Sequence, residues 1–332
     1  MRLRQLVLFF ALFTLLAPAF LAASGQAEPP ESTTIGISKI VAHPALDSIE
    51  QGIIDELRDL GYSDLEFDLQ NANGEITTAA SIANKFQADG VLLAVGIATP
   101  TAQALVNSID SVPVVFSAVT DPLGAGIVES IDGGNGNVTG VSDLTPVREQ
   151  IEFLVEMAGI ERIGHIYTSS EANAVTLANM AREASRELGI EFVEATVTNS
   201  SEVRPATQSL IGRVDGIYVS NDNTVVSALT SLVDVANAAG VPVMSADPTS
   251  AEEIDVLAAW GYDYYKMGRF TGEMIAEILE GADPDTMEVR YMTDPSDFNL
   301  VLNLDVAEEL GLSIPQRYVD QAATIIESGQ MR

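Results

Sequence analysis

The chain of 332 residues contains an internal repeat, and this repeat limits the folds that the sequence can adopt. Residues 89–122 and residues 215–248 each run from Asp-Gly through an apolar stretch, a polar loop, an amphipathic stretch and Val-Pro-Val to Asp-Pro. The match begins earlier still, because Gly36 and Gly164 are 128 residues apart. An offset held over such a length indicates one α/β unit used twice, with a groove between the two copies.

Within each copy, short apolar runs alternate with amphipathic stretches, which is the order that builds a parallel sheet between helices. Runs such as 91–95 (VLLAV) and 112–116 (VPVVF) are apolar throughout, as strands buried on both faces are. The sequence therefore predicts an α/β fold of two Rossmann-like lobes, each a parallel sheet flanked by helices, joined by a hinge. We assign 33–143 to lobe 1, together with about 285–325 of the C-terminal tail, and 144–284 to lobe 2.

Residues 1–25 have the composition of a signal peptide for export. Arg2 and Arg4 precede a long apolar run, and small residues follow that run. The alternative is a membrane anchor, since the run approaches the length of a membrane span, but Pro18 and the small residues favour cleavage. The sequence has no cysteine, which excludes disulfides and a lipid-modified cysteine after the signal. We therefore expect a protein that is free in a periplasm-like space.

The net charge of the chain is −32, from 48 acidic residues against 16 Lys and Arg. Such a charge repels phosphate backbones and anionic membranes, so nucleic acid is excluded as a partner. The acidic residues are scattered along the sequence, which is typical of a solvated surface. An acidic patch for a basic partner is the alternative.

Ligands of open parallel sheets bind at the carboxyl ends of the strands, and this rule selects three loops in lobe 1. Thr99 is a good helix cap and Pro100 suits the first turn, so the free amides of that turn can hold an anion. Plain capping without a ligand is the alternative. The candidate ligand-binding residues of lobe 1 are His43, Thr99, Pro100, Ser117, Ala118, Val119 and Asp121.

The same rule selects polar loops in lobe 2. Three consecutive polar residues, Asn221, Asp222 and Asn223, follow a predicted strand, and a helix cap needs only one of them. Glu171 and Asn173 follow the neighbouring strand, where Glu171 can equally be an acid of the first helical turn. The candidates of lobe 2 are Glu171, Asn173, Asn221, Asp222, Asn223, Ala246 and Asp247.

The sequence lacks the motifs of catalysis, metal binding and cofactor binding. It has no GxSxG elbow, no phosphate loop with GK[ST] and no HExxH, and no acidic spacing around His43 or His165 supports a metal site. Trp260, Tyr262 and Tyr264 cluster in one segment, and their pattern does not separate packing from a ligand wall. We expect no enzyme, no metal and no cofactor, since a hydrolase or transferase would need a catalytic dyad.

Eight segments, spread in order over nearly the whole chain after the predicted signal, carry a family resemblance. They are HPALD (43–47), ATPTAQA (98–104), VPVVFSAVTDPLGAG (112–126), GNVTGVSD (136–143), SSEAN (169–173), NDNTVVSA (221–228), GYDYYKMGR (261–269) and LNLDVAEELGLSIP (302–315). Together they resemble one subfamily of ABC-transporter substrate-binding proteins. The resemblance implies lobes of the type I periplasmic-binding-protein kind, which close on a small ligand and deliver it to a membrane permease.

Members of this subfamily with assigned ligands are similar to binders of tryptophan, phenylalanine or tyrosine. We therefore expect a monomeric periplasmic protein that binds an amino acid, most simply an aromatic one, for an ABC permease. The ligand carboxylate would lie near Thr99 and Ser117, and its ammonium would meet Asp222, with Glu171 or Asp121 as the next choices. The alternatives are a binder of a sugar, nucleoside or purine, and a ligand-sensing module that a membrane receptor reads. Family members are commonly lipoproteins in Gram-positive cells, and the absence of cysteine departs from that pattern.

Overall fold

The structure is a computed structural model that describes residues 32–332, so the predicted signal peptide lies outside the described residues. The strands are β1 (Thr34–Lys39), β2 (Glu66–Asn71), β3 (Leu93–Ile97), β4 (Val114–Ser117), β5 (Val138–Ser142), β6 (Arg162–Thr168), β7 (Glu191–Val197), β8 (Gly216–Val219), β9 (Val243–Ser245), β10 (Ala258–Tyr262), β11 (Arg290–Tyr291), β12 (Phe298–Asn303), β13 (Thr324–Glu327) and β14 (Gln330–Met331). The helices are α1 (Pro44–Asp59), α2 (Ile76–Asp89), α3 (Thr99–Val106), α4 (Val147–Ala158), α5 (Ala172–Leu188), α6 (Val203–Leu210), α7 (Asn223–Val226), α8 (Leu229–Ala238), α9 (Tyr264–Leu279), α10 (Leu304–Glu309) and α11 (Gln316–Val319).

Two sheets form the centres of the two lobes. The first sheet has six strands in the order β11-β5-β4-β3-β1-β2, and its pairings are parallel. The second has eight strands in the order β14-β13-β12-β10-β9-β8-β6-β7. It is parallel from β7 to β10, whereas β10 with β12 and β13 with β14 pair antiparallel. The predicted α/β fold with two parallel-dominant sheets between helices is confirmed.

The internal repeat is visible in the elements themselves. Strands β1 and β6 begin 128 residues apart, and so do helices α1 and α5. One local difference between the copies is that the helical segment after β8 is divided into α7 and α8, whereas α3 after β3 is continuous. The break falls at Ser227 and Ala228, where the chain makes a turn between the two short helices.

The C-terminal part of the chain contributes to both sheets. Helix α9 packs on α1 and on strands β4 and β5 of the first sheet. Of the segment 285–325, β11 belongs to the first sheet, whereas β12 and β13 belong to the second. The physical reason is the exposed edge of β10, which β12 covers as an antiparallel partner. The chain consequently passes between the sheets three times, after β5, after β10 and after β11.

Close helix packing holds α9 on lobe 1. A Cβ on Gly268 of α9 would lie 2.3 Å from the Ile49 carbonyl oxygen, and one on Gly52 of α1 would lie 2.4 Å from the Tyr265 carbonyl oxygen. Only glycine permits backbones to approach this closely. The contact places Tyr264, the first residue of α9, at the end of the crossing segment between the lobes.

Within residues 32–332, no helix combines the length and the apolar character that a membrane span requires.

Candidate functional site

A pocket lies between the carboxyl ends of the strands of the two sheets. Both lobes contribute to its walls, and Tyr264 at the start of α9 contributes as well. Lobe 1 supplies His43, Ala45, Leu46, Ala98, Ala118, Thr120 and Asp143. Lobe 2 supplies Asn173, Asn221, Asp222, Asn223, Val226 and Asp247. This is the place that the strand-end rule selects in open parallel sheets.

The structure brings half of the predicted site residues together in this pocket. These are His43, Ala118, Asn173, Asn221, Asp222, Asn223 and Asp247. The others do not line it: Thr99, Pro100, Ser117, Val119, Asp121, Glu171 and Ala246.

Three of the predicted lobe 1 residues that do not line the pocket make contacts elsewhere in the structure. The Ser117 hydroxyl lies 2.8 Å from the Thr271 hydroxyl of α9 and is fully buried. The Asp121 carboxylate accepts the Gly124 amide in a turn at 2.8 Å. Val119 is also fully buried, and its amide donates to the Val141 carbonyl of β5 rather than to the pocket. Contacts within the lobe therefore explain why these three residues do not line the pocket, although the sequence placed them in loops at strand ends.

In lobe 2, Glu171 and Ala246 are engaged in a similar way. The Glu171 carboxylate accepts hydrogen bonds from the Asn223 amide at 2.6 Å and from the Thr224 hydroxyl at 2.7 Å. It lines a separate polar pocket beside the main one. The Ala246 amide donates to the Val219 carbonyl, and its side chain is completely buried.

Two alanines on lobe 1 have left-handed backbone conformations at the pocket wall. Ala98, after β3, has φ 76°, and Ala118, after β4, has φ 55°. A non-glycine residue rarely adopts such angles, and strained residues of this kind are concentrated at functional sites. The amide of Val119, and not that of Ala118, donates to the Val141 carbonyl, so Ala118 is a bulge in the β4–β5 pairing. The Ala118 amide has no acceptor among residues 32–332.

Thr99 and Pro100 begin α3 directly after Ala98. Helix α3 therefore starts directly after a residue of the pocket wall, and the Thr99 and Thr101 amides have no partners within the helix, while Pro100 has no N–H. The Thr99 hydroxyl oxygen is buried and lacks a hydrogen-bond partner among the described residues. These uncharged groups give this part of lobe 1 a partial positive charge, as at other helix N-termini, and we call it the electropositive corner.

Asp143 follows β5 and connects the two lobes. Its carboxylate accepts the Thr120 hydroxyl of lobe 1 at 3.0 Å and the Asn221 side-chain amide of lobe 2 at 3.1 Å. Burial raises the pKa of the Asp143 carboxyl to about 6, against the opposing effect of these hydrogen bonds. Sequence reasoning missed Asp143 because it treated GVSD (140–143) as the boundary of lobe 1, although the residue obeys the same strand-end rule.

Asp222 has a structural role in lobe 2. One carboxylate oxygen accepts the Thr168 amide at 2.6 Å, and the other accepts the Thr168 hydroxyl at 2.8 Å and the Val225 amide at 3.0 Å. It is thus the N-cap of α7 and ties that helix to β6. Burial, with the nearby Glu171 carboxylate as a second cause, raises the pKa of Asp222 to about 7.

Several polar atoms in the pocket are buried without a hydrogen-bond partner among residues 32–332. They are both ring nitrogens of His43 and the side-chain carbonyl oxygens of Asn173 and Asn221. Buried polar groups are nearly always paired in proteins, so unpaired ones in a pocket indicate a place for a polar ligand. The amide nitrogens of the two asparagines are occupied, by the Asn221 carbonyl and by Asp143 respectively.

The remaining wall of the pocket is apolar. Leu46 of α1, Val226 of α7 and the ring of Tyr264 contribute it, and all three are buried. Tyr264 belongs to the aromatic segment that the sequence left undecided between packing and a ligand wall. Its neighbour Trp260 instead lines a different pocket on lobe 2.

Among residues 32–332, no three His, Cys, Asp or Glu side chains are grouped so that they could hold a metal ion.

The profile of the family described as ABC transporter substrate binding protein matches residues 34–326. The chain belongs to this family. The substrate-binding protein is 34% identical over 291 residues to a tyrosine-binding protein of Clostridioides difficile, covering 86% of this chain and 83% of that protein. Its fold is that of the type I periplasmic binding proteins.

Two solved structures of relatives differ in the state that they describe. A Streptococcus pneumoniae domain in complex with L-Trp has a TM-score of 0.84 and 32% identity, covering 89% of this chain and all of that one. A ligand-free, open structure of a substrate-binding protein with adhesive properties from Clostridium difficile has a TM-score of 0.64 and 34% identity. That match covers 85% of this chain and 96% of the other. The substrate-binding protein is thus more similar in shape to the complex, although its sequence identity to the complex, 32%, is slightly lower than the 34% to the open structure.

Proposed function

We propose that this substrate-binding protein closes its two lobes on an aromatic amino acid and delivers it to an ABC permease. The observation that carries the proposal is the composition of the pocket. Three carboxylates, those of Asp143, Asp222 and Asp247, line it together with unpaired amide oxygens, and no Lys or Arg is among the lining residues. Such a pocket favours a cationic group, which the α-ammonium of an amino acid supplies.

Asp143 is the proposed partner of the ammonium. Its carboxylate accepts only two hydrogen bonds, and it lies beside the unpaired carbonyl oxygen of Asn221. The unpaired oxygen of Asn173 supplies a further acceptor in the same pocket. Asp222, the first choice from the sequence, already accepts three hydrogen bonds from its own lobe, so we assign it the role of holding α7 in place.

The ligand carboxylate is proposed to bind the electropositive corner of lobe 1. The free amide of Ala118 and the first turn of α3 offer neutral donors there, and the left-handed conformations of Ala98 and Ala118 orient this backbone. Recognition by amides also explains how a carboxylate can be bound without an arginine. Thr99 does not line the pocket, and we propose that it contributes only through its position at the start of α3.

The side chain is proposed to contact Leu46, Val226 and Tyr264. An apolar wall with one aromatic ring suits an aromatic side chain, which gains from burial and from ring contacts. The relatives support this choice, since one is a tyrosine-binding protein and another is in complex with L-Trp.

Closure of the lobes is supported by one contact across the pocket and one at a crossing segment. Asn221 of lobe 2 donates to Asp143, and Tyr262 donates to the Leu144 carbonyl in the first crossing segment at 3.0 Å. The closer similarity to the L-Trp complex than to the open structure fits a closed arrangement. The three crossing segments would then act as the hinge.

We further propose that the protein is exported, free in the periplasm, monomeric and without catalytic activity. The predicted signal peptide and the absence of cysteine support export without a lipid anchor. The proposed partner is an ABC permease in the membrane, and membership of the ABC-transporter substrate-binding family supports it.

Calorimetry on the mature chain against the twenty amino acids, with sugars and nucleosides alongside, tests the ligand. We expect heat of binding with an aromatic amino acid, and Asp143→Asn should weaken that binding on the order of 10- to 100-fold by removing the paired charge. Asp121→Asn is the matched control, since that carboxylate lies in a turn outside the pocket. Binding of a sugar or nucleoside alone would keep the fold and overturn the ligand.

A further inference from the structure

We propose that His43 recognises the far end of the ligand side chain and selects an aromatic ring that carries an O–H or N–H donor over a plain phenyl ring. The inference rests on the proposed function, because it assumes an aromatic amino acid in the pocket. It adds a specificity-determining residue to that site. The shared chemistry is a hydrogen-bond donor on the ring, which a phenol or an indole can supply.

The position of His43 on the sheet edge is the first argument. Asp143 follows β5 and His43 follows β1, and the sheet order β5-β4-β3-β1 places two strands between them. Three spacings between adjacent strands amount to roughly 14 Å. A ligand whose ammonium binds Asp143 and whose chain extends along this edge therefore points its ring toward the His43 end.

The surroundings of His43 are the second argument. Ala45 and Leu46 follow it in the first turn of α1 and form an apolar wall in the same pocket. Both ring nitrogens are inaccessible to solvent and lack a hydrogen-bond partner among residues 32–332. An unpaired imidazole beside an apolar wall is costly unless a ligand atom pairs with it.

The charged neighbours Lys39 and Asp247 make no hydrogen bond with the His43 ring, and each has other partners. Lys39 binds Asp47 at 2.5 Å and Glu50 at 3.0 Å. The Asp247 carboxylate accepts the Thr249 amide at 3.0 Å and also the Ser250 hydroxyl. His43 is thus left free for a ligand.

The protonation state of His43 suits a donor on the ligand. Burial lowers the pKa of its imidazole, which outweighs the attraction of Asp247 and Asp47, so the ring is neutral near pH 7. A neutral imidazole has one donor and one acceptor nitrogen. The acceptor nitrogen can accept a hydrogen bond from a phenol O–H or an indole N–H. A phenylalanine ring would leave both nitrogens unpaired, which is the situation in which a polar site rejects an analogue.

Calorimetric titration of tyrosine, tryptophan and phenylalanine into the wild type, His43→Leu and His43→Gln tests the inference. For the wild type we expect tyrosine or tryptophan to bind on the order of 10- to 100-fold more tightly than phenylalanine. His43→Leu should lose most of that preference by weakening the favoured ligand while phenylalanine binding is kept or strengthened. His43→Gln, which retains a donor and an acceptor, should restore part of it.

Comparison of tyrosine with tryptophan shows whether His43 binds the phenol O–H or the indole N–H more tightly. A wild type that binds phenylalanine as tightly as both others would overturn the role of His43 and leave the proposed function standing. Equal weakening of all three ligands by His43→Leu would also overturn it, because a structural role affects every ligand alike. If no aromatic amino acid binds the wild type, the inference and the proposed function both fail.

Discussion

The carboxylate of Asp222 accepts three hydrogen bonds inside lobe 2, from Thr168 and Val225, and is completely buried. A polar residue after a strand can therefore use its hydrogen bonds within its own lobe even when it lines a pocket. At the scale of single residues, the number of bonds that a side chain already makes separates ligand contacts from caps. By this criterion Asp143, His43 and the two asparagine oxygens remain open to a ligand.

Replacing Asp222 by alanine is expected to destabilise the fold by about 2–4 kcal/mol. The change removes the cap of α7 and leaves the Thr168 amide and hydroxyl unpaired in the interior. Urea unfolding followed by circular dichroism measures this loss. Asp121→Ala, which removes an acid from an exposed turn, should cost less than about 1 kcal/mol. Equal losses in the two variants would contradict the structural role of Asp222.

Binding of an amino acid is expected to release a proton at pH 6 and to weaken as the pH falls below that value. Burial raises the pKa of Asp143 to about 6, and an ammonium beside the carboxylate would lower it again. Calorimetry at pH 6 in buffers of different ionisation enthalpy measures the proton release. The release should be smaller in Asp143→Asn, and an unchanged release would argue against the proposed ion pair.

The same carboxyl affects the stability of the ligand-free protein in the opposite direction. Its folded pKa of about 6 exceeds its usual value of 3.8, so the folded state binds the proton more tightly than the unfolded chain. The stabilisation from this group is therefore complete below pH 3.8 and is lost as the pH rises through about 6.

At the scale of secondary-structure elements, the packing of α9 against α1 positions the wall of the pocket. Gly52 and Gly268 let the two backbones touch, and Tyr264 begins the helix that is held in this way. The sequence GYDYYKMGR (261–269) contains the glycine that matters, but its partner is more than 200 residues earlier in the chain. Periodicity along one helix cannot indicate such a pairing.

Gly268→Ala is expected to destabilise the protein by about 1–3 kcal/mol, because the new methyl group would meet the Ile49 carbonyl and push α9 away from α1. Thermal and urea unfolding measure the effect. Gly164→Ala is the matched control, since its methyl group would meet only side-chain atoms, the nearest at 3.2 Å. A control that loses as much stability as Gly268→Ala would show that the helix contact is not the cause.

At the scale of the whole molecule, we propose that the two lobes move as units about the three crossings between the sheets. We expect the mature protein to have a larger radius of gyration without ligand than with a saturating aromatic amino acid. Small-angle X-ray scattering with and without the ligand measures the change. Asp143→Asn at the same ligand concentration serves as the control, because it should stay closer to the ligand-free profile. Identical profiles for the wild type in both conditions would contradict closure.

How far sequence reasoning reached differs between the fold and the site. The repeat of 128 residues and the alternating apolar runs predicted the two α/β lobes, since both are local patterns with a fixed period. The strand-end rule selected loops of both lobes, and half of the residues named from it line the pocket. It did not find Asp143, because the glycine-rich stretch before it resembles a linker more than the strand β5 that it contains.

By itself the sequence determined the α/β class and the order of most elements of the two repeated units, because these follow from short-range patterns of apolar and polar residues. The tertiary structure decided which lobe receives the C-terminal strands, since the edge of β10 is covered by a strand some forty residues later. It also decided which polar side chains remain unpaired in the pocket. Glu171, Asp222 and Ser117 look as available as His43 in the sequence, and only the partners that folding brings to them use up their hydrogen bonds.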